Sequence, residues 1–384
     1  MKIEFNDLHA QYHFLKKEID SNIQKMIESA HFILGQEVNE LEYKLSEYIG
    51  ARHCITVANG TDALLIPLMA WNIRPGDAVF VPSFTFMSTA EVVALRGGSP
   101  VFIDINPDTF NMDPIQLEIA IEHTLKNSQL IPKAIVPVDL FGLPADYERI
   151  LSIAKKYKLK VIEDAAQGFG GSLKGKKAGS FGDVATTSFF PAKPLGCYGD
   201  GGAIFTDDDD LADLIRSIRV HGKGQDKYDN IRIGLNSRLD TLQAAILLPK
   251  LEAFKQFELD QRNQWAALYN KLLSDVVKTP FVSKEMLSSW AQYTIQCKSK
   301  EERDQLQSYL KEKEIPTMIY YKKPLHLQKA FSYLGYKEGD FPISEHISNC
   351  VLSLPMHPYM NEDQIQYIAG QIHVFYRNSE LNNG

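Results

Sequence analysis

Cysteine is scarce in this sequence, and the few cysteines are scattered. The 384 residues contain four, with no CxxC pair among them: Cys54, Cys197, Cys297 and Cys350. A disulfide framework and a cysteine-ligated metal site both favour clustered cysteines, so this spacing argues against each of them. We therefore expect free thiols in a reducing cytoplasm and no bound metal.

Excess positive charge and long apolar runs are also missing. The chain carries 41 lysines and arginines against 48 acids, a formal net charge of −7, whereas nucleic-acid binding demands a basic face. Acids and lysines run through the first twenty residues, which therefore cannot form the apolar core of a signal peptide. No apolar run approaches membrane-spanning length. We expect a soluble, cytoplasmic protein that binds neither nucleic acid nor membrane.

The chain does contain short β-branched runs that alternate with amphipathic helical stretches. Hydrophobic residues make up 44% of it, enough for a large core. Because strand and helix patterns alternate, we predict an α/β fold whose large domain has three layers around a mainly parallel seven-stranded sheet. No helix joins the last two strands, so one edge is expected to depart from the parallel pattern. The predicted strands are 53–58, 78–83, 100–105, 134–140, 160–165, 184–189 and 202–206, with helices over 62–73, 115–126 and 146–158.

Two further helical segments are predicted on either side of this alternation. The opening part of the chain has a helical pattern over 19–49, with a break at 34–36. The acid run 207–210 is interpreted as the first turn of a helix over 211–220, because carboxylates there complement the helix dipole.

The last third of the chain changes character and predicts a second domain. A long helical pattern covers 241–273, and Pro249 within it is expected to cause a kink. A smaller α/β region follows, with candidate strands at 290–297 and 316–321. We therefore predict a large domain, residues 1–249, and a small C-terminal domain, residues 250–384.

The residues after each predicted strand are candidates for a ligand site, since open α/β sheets bind ligands at the carboxyl ends of their strands. The first strand leads into 59-NGTDA-63, where Gly60 permits close approach and the following amides, beginning with Thr61, would face an anion. An ordinary turn capped by Thr61 or Asp62 explains the same residues. The segment is neither a GK[ST] phosphate loop nor a GxGxxG dinucleotide turn.

Other strand ends carry an aromatic ring, an acid, a hydroxyl and an amine. These are Phe86, Asp164, Ser188 and Lys193. Core packing would also explain the phenylalanine, and a helix cap would explain the aspartate. Lys193 is unusual because it lies between two prolines in the weakly polar segment 187-TSFFPAKPLGCYGDGGAI-204.

Taken together, these positions describe the recognition of pyridoxal 5′-phosphate. An anion site at Gly60 and Ser188 suits its phosphate, and an aromatic ring can stack on its pyridine. An aspartate such as Asp164 keeps the pyridine nitrogen protonated, and a lysine such as Lys193 forms a Schiff base with the aldehyde. The combination predicts a pyridoxal-phosphate site.

The sequence also resembles a known family in a set of segments that covers nearly the whole chain. It is similar to the fold-type I pyridoxal-phosphate-dependent aminotransferases that act on nucleotide-linked keto-sugars, the DegT/StrS group. The set is highly specific, although any single member is weak. The matching segments are 59-NGTDA-63, 82-PSFTFMSTA-90, 161-VIEDAAQGFG-170, 188-SFFPAKPLGCYGDGGAIFT-206, 219-RVHG-222, 232-RIGLNSRLDTLQAA-245 and 353-SLPMHP-358.

The resemblance implies a role for each matching position. Lys193 corresponds to the Schiff-base lysine, Asp164 to the partner of the pyridine nitrogen, and Gln167 to the residue near the ring hydroxyl. Asn236 resembles a residue that reaches the phosphate from the neighbouring subunit, which implies a homodimer. The phosphate is expected to contact Gly60, Thr61 and Ser188, and Phe86 to stack on the ring.

The resemblance further implies an aminotransferase that uses L-glutamate as donor. Members with histidine in place of the Schiff-base lysine are dehydratases, and this chain has Lys193. Within the family it looks closest to the 3-aminotransferases of UDP-2-acetamido-2-deoxy-3-oxo-glucuronate, which implies a role in bacterial surface-glycan precursor synthesis.

Arg238 would pair with the uronate carboxylate, which suits a guanidinium, and a structural salt bridge is an equally weighted alternative. Tyr320 and His326 are further substrate candidates, although His326 also fits a surface histidine with no ligand. Relatives often have a histidine–tyrosine pair where this chain has Tyr320 and Tyr321. Lys322 and Lys323 suit either a nucleotide diphosphate or a solvated loop.

Three alternative functions were weighed against this assignment. Amination at C3 or C4 of a nucleotide-linked keto-6-deoxy sugar uses the same cofactor residues. A non-catalytic regulator with this fold is a candidate of another class, although the intact Lys193 and Asp164 argue against it. A nicotinamide-dependent dehydrogenase would need a GxGxxG turn after the first strand, and 59-NGTDA-63 is not one.

Overall fold

The computed structural model describes residues 2–226 and 228–382. The strands are β1 (His53–Val57), β2 (Asp77–Pro82), β3 (Ser99–Ile103), β4 (Ile131–Ile135), β5 (Lys160–Asp164), β6 (Ser172–Leu173), β7 (Lys176–Lys177), β8 (Val184–Ser188), β9 (Gly202–Thr206), β10 (Met286–Leu287), β11 (Tyr293–Gln296) and β12 (Val351–Leu354). The helices are α1 (Leu8–Ser29), α2 (Gln36–Ile49), α3 (Gly60–Ala70), α4 (Ser88–Leu95), α5 (Pro114–Asn127), α6 (Tyr147–Tyr157), α7 (Asp209–Arg219), α8 (Thr241–Ala253), α9 (Leu259–Leu273), α10 (Lys300–Glu312), α11 (Pro342–Cys350) and α12 (Glu362–Asn382). A π-turn, Phe254–Glu258, joins α8 to α9.

The central sheet has seven strands in the order β1-β9-β8-β5-β4-β2-β3, which confirms the predicted mainly parallel α/β sheet. Strand β9 is antiparallel to both β1 and β8. The departure from the parallel pattern therefore lies one strand inside the edge, not at the edge as predicted. The connection between β8 and β9 contains no helix, so the chain returns in the opposite direction.

Helices cover both faces of this sheet. On β9, Ile204 packs with residues of α3 and α7, such as Ile215. The residue after it, Phe205, points to the other face and packs with residues of α2 and α8, such as Leu45 and Leu247. Strand residues buried on both faces explain why the sequence runs were continuously apolar.

Several predicted boundaries are corrected by local chemistry. Helix α1 begins at Leu8, earlier than predicted, because the Asp7 carboxylate caps it by accepting from the Ala10 amide at 2.8 Å. The fourth strand ends at Ile135, before the predicted 140, since Pro137 has no N–H for the ladder. The acid run starts α7 as predicted, with Asp208 as its cap.

Helix α8 continues through Pro249 to Ala253, so the proline does not end the helix; the kink expected there stays a prediction. Proline removes the N–H that would bond the carbonyl four residues earlier, which belongs to Ala245. That carbonyl instead accepts a hydrogen bond from Asn22 Nδ2 of α1 at 3.2 Å. The helical irregularity lies further on, in the π-turn Phe254–Glu258.

The C-terminal part has its own core and a two-stranded antiparallel sheet of β11 and β12. The strand predicted near 290–297 is present as β11, whereas 316–321 is not a strand. In that segment Met318 alone pairs, exchanging backbone hydrogen bonds with Ser353 of β12. The position of the domain boundary at residue 249 stays a prediction. Among the described residues, no helix has both the length and the apolar character needed to cross a membrane.

Candidate active site

The register of β9 brings the ends of β1 and β8 to one place. Gly202 lies opposite Val57 of β1 and opposite Ser188 of β8. The chain therefore enters α3, three residues beyond Val57, directly beside Ser188. A β-carbon built on Gly60 would lie 2.7 Å from the Ser188 β-carbon and 3.0 Å from its hydroxyl. Because nothing larger than glycine fits, the backbone of residue 60 and the Ser188 hydroxyl share one small site.

The first turn of α3 presents free amides to this site. Asn59 is the cap, rather than Thr61 or Asp62 as predicted. Its side-chain oxygen accepts from the Asp62 amide at 2.8 Å, and its carbonyl accepts from the Ala63 amide at 3.1 Å. Within the described chain this leaves the N–H groups of Gly60 and Thr61 without an acceptor. Free amides at a helix N-terminus bind phosphate well.

Asp164 ends β5 and is almost fully buried. Its carboxylate accepts from the Thr89 hydroxyl at 2.9 Å and from the Ala166 amide at 3.2 Å. Burial raises the pKa of Asp164, while these two hydrogen bonds and the charge of Lys193 oppose the shift. A desolvated carboxylate of this kind is stabilised by a cation brought against it, as a protonated ring nitrogen would be.

Lys193 lies in the loop between β8 and β9, and its amide donates to the Phe190 carbonyl at 2.8 Å. The side chain is half-buried, and within the described residues its ammonium has no hydrogen-bond partner. Burial lowers the pKa of Lys193, and the nearby Asp164 carboxylate opposes this shift. A lysine with a lowered pKa and no partner is suited to react as a nucleophilic amine.

Two further predicted site residues are Phe86, with an exposed ring, and Gln167, with a side-chain amide held in place by hydrogen bonds. Phe86 follows β2 and is 54% exposed, so core packing, the alternative explanation for this residue, is wrong. Gln167 is held at both ends: its oxygen accepts from the Phe141 amide at 2.7 Å, and its nitrogen donates to the Tyr321 hydroxyl at 3.1 Å. The Tyr321 ring lies 6.2 Å from that of Phe86.

The sequence does not single out two of these residues. Thr89 lies in the segment 83-SFTFMST-89, in which the predicted site residue is Phe86. Tyr321 is the second member of a tyrosine pair, in which the predicted contact is the first, Tyr320. Tyr320 is half-buried and packs between Tyr321 and Phe5, with ring centroids 5.7 and 6.3 Å away.

The remaining predicted residues have different surroundings. Asn236 is exposed and Arg238 half-buried, and Arg238 makes no ion pair with any residue the structure describes, which argues against a structural salt bridge. His326 is buried, so it is not the surface histidine considered above. Its Nδ1 lies 2.6 Å from the Ser83 hydroxyl and its Nε2 lies 3.1 Å from Glu345. With both ring nitrogens engaged, His326 fits a structural role, and the geometry gives no support to a substrate contact.

Comparison with known proteins agrees with this geometry. Residues 13–373 match the model of the DegT/DnrJ/EryC1/StrS aminotransferase family. The chain belongs to this family.

A relative from Pseudomonas aeruginosa, a UDP-2-acetamido-2-deoxy-3-oxo-D-glucuronate aminotransferase, is 48% identical over 96% of this chain and 99% of its own. A pleiotropic regulatory protein of Geobacillus stearothermophilus is 46% identical over 98% of this chain and 99% of its own. The crystal structure of a family aminotransferase from Brucella abortus superposes with a TM-score of 0.94 at 52% identity, covering 97% of this chain and 99% of that one.

The chain is thus a pyridoxal-phosphate-dependent aminotransferase of this family. Its residues fit the cofactor on geometric grounds. The glycine-lined cradle with two free amides suits a phosphate, the exposed Phe86 ring suits a flat heterocycle, and the buried Asp164 suits a ring cation. Lys193 supplies an amine with no competing partner within the described residues.

Proposed function

We propose that this aminotransferase moves an amino group from L-glutamate to a keto group of a nucleotide-linked sugar. The observation that carries the proposal is the meeting of three strand ends. The amides beside Ser188, the buried Asp164 carboxylate and the Lys193 ammonium all lie at one edge of the sheet, and neither the amides nor the ammonium has a partner among the described residues. When bound there, pyridoxal phosphate supplies a ring that withdraws electrons from the carbon that loses a proton.

We assign the anchoring of the cofactor to residues in fixed positions. The Gly60 and Thr61 amides and the Ser188 hydroxyl would donate hydrogen bonds to its phosphate. Phe86 would stack on its ring, and Asp164 would hold the ring nitrogen protonated. Gln167 faces the ring hydroxyl, and its orientation is set by the Phe141 amide and the Tyr321 hydroxyl.

Lys193 acts as the proton carrier. Because burial lowers its pKa, a larger share of the side chain is the neutral amine at neutral pH, and only that form accepts a proton. In the first half-reaction it removes the proton from the α-carbon of glutamate. In the second it returns a proton to the sugar carbon that carried the keto group.

A homodimer with shared active sites is part of the proposal. Asn236 is exposed and follows the segment 228–233, which exposes three large hydrophobic residues: Tyr228 by 85%, Ile231 by 57% and Ile233 by 86%. Apolar side chains clustered this way mark a protein contact surface. A second copy docked there would receive Asn236 at its phosphate site.

We also place the enzyme in the cytoplasm, which the four buried free thiols support.

For the acceptor we propose UDP-2-acetamido-2-deoxy-3-oxo-glucuronate, aminated at C3, on the way to a bacterial surface glycan. The named activity of the Pseudomonas aeruginosa relative supports this. So does Arg238, whose guanidinium has no partner among the described residues and is free to pair with a uronate carboxylate. Tyr320 is then a donor to a sugar hydroxyl.

The test compares the uronate with a neutral nucleotide-linked keto-6-deoxy sugar, in the wild type and in Arg238→Ala. We expect the variant to lose about 10- to 100-fold in kcat/KM with the uronate, since a charge-assisted bond contributes about 1.5–3 kcal/mol. The rate with the neutral sugar should change little. Equal losses with both sugars would reject the carboxylate contact, and faster turnover of the neutral sugar by the wild type would favour the keto-6-deoxy alternative.

A regulatory role is the second candidate, favoured by the name of the Geobacillus stearothermophilus relative. A protein that acts only as a regulator has no need to transfer an amino group from glutamate to its cofactor. Conversion of the bound cofactor by glutamate alone therefore separates the two functions.

A further inference from the structure

The loop that carries Lys193 is closed tightly at its base. The Cys197 amide donates to the Phe189 carbonyl at 2.8 Å, and the Phe189 amide donates to the Gly201 carbonyl at 2.8 Å. Gly196 lies inside this turn, where a β-carbon would be 2.5 Å from the Pro191 carbonyl oxygen. The position of the Lys193 amine therefore depends on where the base of the loop is held.

Helix α8 holds that base with two side chains. Gln243 accepts from the Tyr198 amide at 2.9 Å and donates to the Tyr198 carbonyl at 3.2 Å. Seven residues later, two helical turns along the same face, Lys250 donates to the Gly196 carbonyl at 2.6 Å. Its ammonium also lies over the Tyr198 ring, 4.3 Å from the centroid.

Burying a lysine at this position carries a desolvation penalty. Lys250 is completely buried, and within the described residues its ammonium forms no ion pair. Burial lowers the pKa of Lys250 to about 8, with Glu258 opposing the shift. An apolar side chain of similar length would fill the same space without the desolvation penalty. What the ammonium adds is a charge-assisted bond to Gly196 and a cation–π contact with Tyr198.

We propose that Lys250, together with Gln243, is a positioning residue that fixes the 189–201 loop and so determines where the Lys193 amine lies. The proposal rests on the role proposed above for Lys193. Lys250 would act through the loop, by its contacts with Gly196 and Tyr198. Proton transfer depends steeply on geometry, and a misplacement of about 1 Å can lower a rate about 100-fold.

The test replaces Lys250 with methionine, which keeps the length of the side chain and removes the charge. Lys255→Met is the matched control, because Lys255 lies exposed in the π-turn that follows α8 and, among the described residues, forms an ion pair only with Glu252, at 3.6 Å. In Lys250→Met we expect amide hydrogen exchange across 189–201 to rise at least about tenfold. The rate constant of the glutamate half-reaction should fall about 10- to 100-fold, with the half-saturating glutamate concentration unchanged.

A purely structural lysine predicts a different pattern. The variant would then have unchanged exchange in the loop and an unchanged rate constant, and that result overturns the proposal. If Lys250→Met does not fold, Gln243→Leu is measured in the same way, and unchanged exchange and rate in that variant also overturn it. A wild type that fails to react with glutamate would reject the proposed donor instead, while the hydrogen-exchange comparison still tests the loop contact.

Discussion

Gly60 lies so close to Ser188 that a β-carbon on residue 60 would be 2.7 Å from the Ser188 β-carbon. The contact joins the start of α3 to the end of β8, and it exists because β9 pairs with both β1 and β8. The space between these residues is therefore defined by backbone and by one hydroxyl. A phosphate bound there would contact groups whose positions are fixed by the backbone of α3 and β8.

Gly60→Ala tests this site. The added methyl group should push the first turn of α3 away from Ser188, so we expect the dissociation constant for pyridoxal phosphate to rise about tenfold or more, by loss of at least one phosphate hydrogen bond. Absorbance titration of the cofactor-free protein measures it. Gly370→Ala is the control, because Gly370 lies in α12 and no atom of the described residues lies within 4 Å of an added β-carbon. Equal affinities in both variants would contradict the assignment.

Asp164→Asn removes the negative charge that would face the ring nitrogen and keeps the shape of the side chain. Asparagine keeps an oxygen for the Thr89 hydroxyl, which now lies 2.9 Å from the Asp164 carboxylate, but it cannot hold a proton on the ring. We expect both half-reactions to slow by about 100-fold or more, because preorganised charge is lost from the reacting site, with cofactor binding largely retained. Stopped-flow absorbance gives both rates. Unchanged rates would show that Asp164 has no electrostatic role.

Stability should fall in mild acid because of His357. Burial lowers the pKa of this histidine to about 4 from its ordinary 6.5. Between those values the unfolded chain binds a proton that the folded chain does not, so folding weakens as the pH falls from 6.5 to 4, by up to about 3 kcal/mol. Urea unfolding at pH 7 and pH 4.5 measures the loss.

His357→Gln should lose less stability over this pH range than the wild type does. His9→Gln, at an exposed position of α1, serves as the control and should behave like the wild type. If His357→Gln and the wild type lose the same free energy of unfolding, another group controls the acid response.

The four cysteines should be unreactive in the folded protein. All are buried and unpaired, and burial raises the pKa of Cys197 to about 11 and that of Cys297 to about 12. Since the thiolate is the reactive form, Ellman's reagent at pH 8 should label none quickly in the native state and four in guanidinium. Rapid labelling of the native protein would show that at least one thiol lies in a mobile or open part of the fold.

The sequence could indicate that the main candidate site residues lie together, because strand ends converge at one edge of an α/β sheet. Asp164 directly follows an apolar run, and Lys193 lies in a stiff segment between two prolines, so each carried a local signal. The cap of α3 was predicted wrongly at Thr61 or Asp62. Asn59 is as good a cap as either, and the sequence does not show which residue the helix starts after.

Residues whose role depends on tertiary contacts could not be predicted. Whether Tyr320 or Tyr321 faces Gln167 depends on the backbone of 316–321, which is not the predicted strand. Lys250 lies in a nearly continuous apolar helix, and only the fold brings it to Gly196. Where α8 continues through Pro249, Asn22 from another helix similarly donates to the Ala245 carbonyl.

The central claim is that Lys193 binds pyridoxal phosphate covalently in an enzyme that takes its amino group from glutamate. The most direct measurement is the visible absorption spectrum of the protein with pyridoxal phosphate, before and after glutamate alone, in the wild type and in Lys193→Ala. We expect a yellow band in the wild type that fades on adding glutamate. Lys193→Ala should be folded but lack both the lysine-bound band and the glutamate response. A glutamate-responsive band of equal size in Lys193→Ala, or no band in the wild type with excess cofactor, would contradict the account.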